Sequence, residues 1–550
     1  MIRKYALLTI TLFIAGMVMF GQTAPNKYWI QFTDKNNSNY SITQPSQFLS
    51  AKAIQRRANQ SIAIVENDLP VNQAYIASIE ALGATVLHRS KWLNAVTIEI
   101  PALPILNQVL ALPFVAGYQK VARLGAQHID EIDLSNNASR YNKATPLMAT
   151  DYGAGTVQIE MLNAHILHNQ GFRGEGMVIA VLDAGFQSVD TISAFDSLWI
   201  NNRILGTWDF VDNDSMVFGH HTHGLKVLST MASNLPGQFV GTAPNASYWL
   251  LRTENGATEY VTEEDNWIAG AEFADSVGAD VLNTSLGYTV FDDPVQNHSY
   301  KDLDGNTTRI TKGSDIAASK GMLVVNSAGN NGSSSWLYVS APADGFDVLA
   351  IGAVDLNGSY APFSAIGPTF DGRTKPNVCA MGYGSTIISS IGTVSYGSGT
   401  SFASPILAGA AACLWQANPT FSSSELFQAI EESGSIYLSP DNYLGHGIPD
   451  LAAASIILDN KLSERESFFK VFPNPFEDNI TIQFYLADTP KVSFELMDIQ
   501  GRVFAQETVE DTHLSMNYVN FDGLGSLSSG IYLIRVTSDR FVHQLKLIRR

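Results

Sequence analysis

Cysteine is scarce: Cys379 and Cys413 are the only two in 550 residues. One possible pair makes no disulfide framework, and neither stands at a cysteine–histidine spacing that would hold zinc. Both lie in apolar stretches, where a buried thiol is the plain reading, although pairing stays open. Positive charge is also short. Lys and Arg number 33 against 52 Asp and Glu, a formal net charge of −19. Such a surface repels a phosphate backbone, which argues against nucleic acid as a partner. No internal repeat or low-complexity tract occurs. With 45% hydrophobic and 15% charged residues, the composition is globular. At roughly 100–200 residues per domain, the length suits about three domains.

Long apolar runs are missing too, apart from residues 5–20 at the N-terminus. Arg3 and Lys4 precede that run, and Gly21, Gln22 and Thr23 follow it. A basic start, a short apolar core and a small residue near the exit form a secretory signal peptide over residues 1–22. The run falls short of the about 20 residues that span a bilayer, so an uncleaved anchor is the weaker alternative. Once the signal is removed, no transmembrane segment is expected.

Three blocks follow. Residues 23–146 interleave strand-like segments at 27–32, 84–88, 93–100 and 115–121 with helix-like ones at 47–60, 71–82 and 103–110, a small α+β module. Residues 129–150 read as a linker. Residues 151–460 carry short unbroken apolar runs at 176–182, 279–283, 322–326 and 348–354, with helical spacing at 266–277 and 313–320 between them. Runs without alternation are strands buried on both faces, which predicts an open α/β domain with a mainly parallel sheet and helices on both sides. Residues 466–550 are strand-like throughout, with a turn at 498–501, and predict a small β-sandwich.

Three segments of the middle block could do chemistry. Asp183 ends an apolar strand and precedes Ala184 and Gly185, so it reads as a site carboxylate or as a cap of the next turn. His223 opens an apolar-periodic segment, as a general base or as an ordinary helix-start residue. His220 and His221 lie close enough to raise a metal reading, although no acidic ligand motif accompanies them. Ser401 sits in Gly397-Ser398-Gly399-Thr400-Ser401-Phe402-Ala403-Ser404-Pro405, before a run of small residues. It reads as a nucleophile at a loop-to-helix junction or as a helix cap, with Pro405 in the first turn. A serine hydroxyl needs a base within reach, and the base an orienting acid. The chain supplies Asp183, His223 and Ser401 in that order. No Gly-x-Ser-x-Gly elbow surrounds Ser401, which speaks against an esterase on an α/β-hydrolase scaffold.

Here a resemblance becomes specific. Gly399-Thr400-Ser401-Phe402-Ala403-Ser404-Pro405 resembles the nucleophile motif of subtilisin-like serine peptidases. His223-Gly224 through Ala232 resembles their histidine helix, and Val181-Leu182-Asp183-Ala184-Gly185-Phe186 their aspartate strand. Ser327-Ala328-Gly329-Asn330 resembles their oxyanion loop, and Asn283-Thr284-Ser285-Leu286-Gly287 their substrate strand. The resemblance implies a subtilisin-like fold and a secreted endopeptidase acting on proteins or peptides through an acyl-enzyme. It implies Asp183, His223 and Ser401 as catalytic residues, with Asn330 and the Ser401 N–H holding the oxyanion. Ser285, Leu286, Gly287, Ala328 and Gly329 would line the substrate cleft.

That chemistry requires no cofactor. Asp302, Asp304 and Asn306, grouped around Gly305, suggest calcium, against the plainer reading of a solvated turn. Leu225 and Lys226 depart from the usual Thr and His of the histidine helix. They leave open a second function class, a catalytically inactive surface or binding protein that keeps the fold.

The flanking blocks take meaning from the middle one. Residues 23–146 resemble a propeptide that acts as an intramolecular inhibitor, freed by cleavage within residues 138–151. Residues 466–550 resemble the sorting domain of type IX secretion, through Val471-Phe472-Pro473-Asn474-Pro475, Asp498-Ile499-Gln500-Gly501-Arg502, Gly530-Ile531-Tyr532 and Lys546-Leu547-Ile548. This implies contact with that secretion machinery. It places the protein outside the cell or at its surface, exported through the periplasm of a double-membraned bacterium.

Overall fold

Val178–Asp183 shows why the middle block folds as it does. Its apolar residues leave no polar face. Ile179 and Val181 pack into one core with the small-residue helix of Ser401, while Val178, Ala180 and Leu182 enter a second core on the other side. The strand is buried on both faces, as its composition demands. A computed structural model describes residues 26–122, 152–463, 468–485, 491–510, 517–538 and 542–550. The expected signal (1–22), linker (129–150) and processing segment (138–151) lie outside the described residues.

Seven strands form the central sheet: β1 (Val178–Asp183), β2 (Ile204–Asp209), β3 (Ser247–Arg252), β4 (Val281–Thr284), β5 (Leu323–Ser327), β6 (Val348–Val354) and β7 (Val378–Met381). Their order is β7-β6-β5-β4-β1-β3-β2, and every pairing is parallel. Helices α1 (His223–Ala232) and α4 (Thr400–Ala417) cover one face, and α2 (Thr262–Val277) and α3 (Arg309–Ser319) the other. From β1 the chain runs to the edge strand β2, returns through β3 on that side of β1, and then crosses to β4 on the other. A crevice therefore opens beyond the carboxyl ends of these strands, where open α/β sheets hold their sites.

The leading block forms a four-stranded antiparallel sheet in the order Thr85–Ser90, Ala95–Ile100, Asn26–Phe32, Val115–Ala122. Its helices are Ala51–Asn59, Gln73–Ala81 and Leu103–Leu110. The first starts later than its sequence pattern predicts, because Ser50 caps it and residues 45–47 form a separate turn. The module sits on α2 through a buried charge cluster. Arg56, Arg57 and Lys91 all reach Asp275, at 2.6, 2.8 and 3.2 Å. Ser90 Oγ and the Lys91 and Trp92 N–H groups donate to Glu272. Burial alone would raise the Asp275 carboxyl, but Lys91, Arg56 and Arg57 together hold it below its ordinary value.

The C-terminal block is a β-sandwich. A three-stranded sheet (Phe468–Phe472, Ile480–Tyr485, Asn517–Phe521) and a four-stranded one (Val503–Val509, Val492–Asp498, Gly530–Ser538, Val542–Arg549) enclose one apolar core. The expected turn after Val492–Asp498 is present, with Gly501 at φ +84°. Among the described residues no helix is long and apolar enough to cross a membrane.

Candidate active site

β1 delivers Asp183 to the crevice, where its side chain is fully buried and the Ala184 N–H donates to Oδ1 at 2.8 Å. α1 begins at His223, and the His223 N–H donates to Nδ1 of His221 at 3.2 Å. Two glycines let these segments meet. A Cβ on Gly224 would stand 3.0 Å from Asp183 Cβ, and one on Gly185, at φ +146°, only 2.6 Å from His220 Cβ. Nδ1 of His223 thereby lies 2.8 and 3.0 Å from the two oxygens of Asp183. A carboxylate oxygen only accepts, so Nδ1 carries the hydrogen and Nε2 is the nitrogen that can act as a base.

The nucleophile motif arrives with α4. Gly399 precedes the helix, and Ser401, 8% exposed, is its second residue. Phe402 brings its ring centroid to 6.4 Å from that of His223, so the Ser401 turn and the base adjoin. Thr400 ties this turn to the loop after β5. Its N–H and hydroxyl both donate to Oδ1 of Asn330, at 2.9 and 3.0 Å, and its Oγ1 accepts from the Gly329 N–H at 3.2 Å. Two donors on Oδ1 fix the amide with Nδ2 on the other side. Asn330 Nδ2 and the Ser401 N both lie 3.7 Å from the place a Cβ on Gly399 would take.

The segment after β4 closes the other side. Ser401 Oγ donates to the Ser285 carbonyl at 3.4 Å, and Ser285 Oγ donates to the Ser401 carbonyl at 2.9 Å. Ser340 is wedged between the two expected cleft walls. Its Cβ lies 2.8 Å from where a Cβ on Gly287 would stand, and its Oγ 2.9 Å from one on Gly329. Ala328 is fully buried, while Leu286, Gly287, Gly329 and Asn330 reach the surface. All nine residues singled out from the sequence thus gather at the carboxyl ends of β1, β4 and β5.

The structure resolves several sequence expectations, and one of them differently. Pro405 lies inside α4 and not in its first turn, because the helix already starts at Thr400. The histidine cluster divides. His223 faces Asp183, whereas His220 Nε2 lies 3.4 Å from Asp209, whose carboxylate, like that of Asp212, accepts from Arg252 at 2.6 Å. Ligand-type atoms of Asp209, Asp212 and His220 lie within 4.8 Å of one another, with the Arg252 guanidinium paired to both carboxylates. Leu225 is a fully buried core residue and Lys226 is only partly covered. Asp304 spends its oxygens on the Asn306 and Thr307 N–H groups and the Thr307 hydroxyl, as a turn cap does. Cys379 and Cys413 are buried, unpaired thiols.

Thr400, Ser340 and Arg252 were not marked from the sequence. Thr400 stands inside the nucleophile motif, and Arg252 breaks an apolar strand at its end, so both left a trace. Ser340 left none. A buried acidic group near Asp183 was missed as well. Glu254 accepts from the Tyr288 hydroxyl at 2.7 Å, and oxygens of Glu254, Glu259 and Glu263 lie within 4.8 Å of one another. Burial first, and the Asp183 charge besides, push the Glu254 carboxyl up to about 7, against the pull of hydrogen bonds with Tyr288, Glu263 and Glu259.

Each of the three blocks matches a known family description. The Subtilase family description matches residues 174–447, the Peptidase S8 propeptide domain of Bacteroidota matches 27–137, and the secretion system C-terminal sorting domain matches 470–550. Subtilisin DY of Bacillus licheniformis is 29% identical over 304 residues, 54% of this chain and 97% of that protein. Subtilisin NAT of Bacillus subtilis subsp. natto is 30% identical over 305 residues, 54% of this chain and 70% of its own length. The alkaline protease of Alkalihalobacillus alcalophilus is 26% identical over 465 residues, 82% of this chain and 98% of that protein. The parallel sheet, the antiparallel module that precedes it and the C-terminal β-sandwich agree with these matches, and the chain belongs to the subtilase family as a subtilisin-like serine endopeptidase, secreted or held at the cell surface.

Proposed function

We propose that Ser401 is the nucleophile of a Ser-His-Asp triad with His223 as base and Asp183 as orienting acid. The observation that carries this reading is the double contact of His223 Nδ1 with the Asp183 carboxylate, at 2.8 and 3.0 Å, beside the Ser401 turn. Ser401 Oγ attacks the carbonyl carbon of a peptide bond while His223 Nε2 takes its proton. The buried Asp183 stabilises the imidazolium. Asn330 Nδ2 and the Ser401 N–H donate to the carbonyl oxygen as it becomes an oxyanion. The Ser401 N–H belongs to the first turn of α4, which has no carbonyl four residues back inside the helix. Collapse of the tetrahedral species breaks the C–N bond, and His223 gives its proton to the leaving amine. Water, activated by His223, then hydrolyses the acyl-enzyme.

Ser285, Leu286 and Gly287 with Ala328 and Gly329 form the two walls along which the substrate chain lies, and Ser340 stands at the floor between them. None of these steps requires a cofactor, and the carboxylate of Asp304 already caps its own turn. The divisions that fit this reading are a signal at 1–22, a propeptide at 23–146, the peptidase at 151–460 and the sorting domain at 466–550. The three family matches fall inside those bounds. The leading block acts as intramolecular inhibitor until it is cut away within residues 138–151.

The test is labelling of the matured protein with a fluorophosphonate, followed by mapping of the modified residue. Label on Ser401, lost in Asp183→Ala and in His223→Ala, is the expected result. Mature protein that takes no label, or takes it on another residue, sinks the proposal.

A further inference from the structure

Ser401 stands in the first turn of α4, and Pro405 stands four residues on in the same helix. In a regular α-helix the N–H of residue 405 would donate to the Ser401 carbonyl. Proline has no N–H, and its ring crowds that same carbonyl. The helix therefore denies the residue its usual donor at the one place where its aim matters most. Ser285 supplies a substitute. Its Oγ donates to the Ser401 carbonyl at 2.9 Å, between residues 5% and 8% exposed. The Ser401 hydroxyl returns a longer contact to the Ser285 carbonyl, at 3.4 Å. Ser404 Oγ, donating to Asn283 Oδ1 at 3.0 Å, pins the same turn to the end of β4.

We propose that Ser285 is a positioning residue for Ser401. Its hydroxyl replaces the backbone donor that Pro405 removes, and so fixes the tilt of the first turn of α4. That tilt aims both the Ser401 Oγ and the Ser401 N–H. The proposal rests on Ser401 being the nucleophile. A buried carbonyl without a donor is costly. When the Ser285 hydroxyl is removed, the turn re-aims to find one, and the nucleophile moves with it. The backbone of residues 285–287, along which substrate would lie, stays in place, so the loss belongs to the chemical step and not to binding.

Ser285→Ala in the mature enzyme is expected to lower kcat by about ten- to a hundredfold with KM little changed. The rates of acylation and of fluorophosphonate labelling should fall in parallel. Pro405→Ala restores an N–H at position 405. In that background Ser285→Ala should cost less than about threefold, because the carbonyl again has its helical donor. A general packing role for Ser285 predicts the same loss in both backgrounds, and that result overturns the proposal, as does an unchanged kcat in Ser285→Ala. Where Ser285→Ala does not mature, Ser285→Cys, a weaker donor, goes through the same cycle. Failure of the nucleophile reading is distinguishable: it leaves wild-type Ser401 unlabelled, whereas failure of this inference leaves wild-type Ser401 labelled, with Ser285→Ala labelled either at the wild-type rate or equally slowly in both backgrounds.

Discussion

Nδ1 of His223 lies 2.8 Å from one oxygen of Asp183 and 3.0 Å from the other, although the two residues are 40 positions apart in the chain. The carboxylate is fully buried and the imidazole partly exposed, so the acid is fixed and the base faces the cleft.

That contact sets the first prediction. Asp183→Asn keeps the size of the side chain but can present its N–H to the imidazole, which then takes the wrong tautomer. By the general behaviour of such triads, kcat should fall roughly 10⁴-fold with KM nearly unchanged. Steady-state kinetics on a peptide amide checks this. A loss below tenfold would mean that the acid does not orient the base.

Asn330 gives the second. Its Oδ1 is spent on Thr400, so the amide serves through Nδ2. Asn330→Leu removes that donor, and kcat should drop about 10²–10³-fold while KM holds. Thr400→Val, which keeps the backbone donor to Oδ1 and deletes the hydroxyl one, should cost less than Asn330→Leu. The reverse ranking in the same assay would count against the role given to Nδ2.

The sequence showed the site better than its supports. Asp183 was legible because an unbroken apolar strand, buried on both sides, ends in a charge. His223, Ser401 and Asn330 were legible because their neighbours repeat short family motifs. The Ser285–Ser401 link joins residues 116 positions apart and follows from a missing N–H at Pro405, which only the true start of α4 reveals. Ser340 matters through its closeness to two glycines, and no local pattern encodes that. In the sorting sandwich, Val503–Val509 is an edge strand with mostly exposed side chains. It carries no hydrophobic alternation, because neither of its faces is deeply buried.

The propeptide interface makes a third prediction. Arg57 bridges Asp275 of α2 at 2.8 Å and Asp68 of its own module at 2.9 Å, and Lys320 reaches Asp68 from the peptidase side at 3.0 Å. Removing one member of such a buried set strands the opposite charges, at a cost of about 3–5 kcal/mol. In a Ser401→Ala precursor, which cannot process itself, Arg57→Ala should lower the melting temperature and open the leading module to trypsin. Lys52→Ala is the control. Its contact with Asp280 is half exposed and should matter little. Equal effects of the two substitutions would mean that the buried cluster does not hold the module down.

The fourth prediction concerns the thiols. Burial pushes both Cys379 and Cys413 well above the ordinary thiol value, and the thiolate is the reactive form. Native protein should therefore leave Ellman's reagent unreacted at pH 8 and titrate as two thiols once denatured. A thiol that reacts in the native state would contradict the burial.

The acidic group beside Asp183 makes stability fall as the pH rises toward neutrality. Glu254 holds its proton up to about 7 in the folded protein, chiefly through burial, against an ordinary value of 4.5. Glu263 is raised well above its ordinary value for the same reason, with Glu254 and Glu259 adding to it. The native state thus binds more protons than the unfolded chain between those limits. The stability due to Glu254 is fully present below pH 4.5 and is lost as the pH rises through about 7. The loss is on the order of 3 kcal/mol. Glu263 accepts from the Asn255 and Tyr260 N–H groups, which favour its charged form and so pull against the effect of burial. The loop between Asn255 and Tyr260 lies beside His221, two residues before His223, for a Cβ on Gly256 would stand 3.5 Å from the His221 Cδ2. Glu254→Gln cannot titrate. Melting of the Ser401→Ala precursor at pH 5 and pH 8 should show wild type losing more on the alkaline side than Glu254→Gln does. Parallel curves for the two proteins would show that Glu254 does not hold its proton into the neutral range.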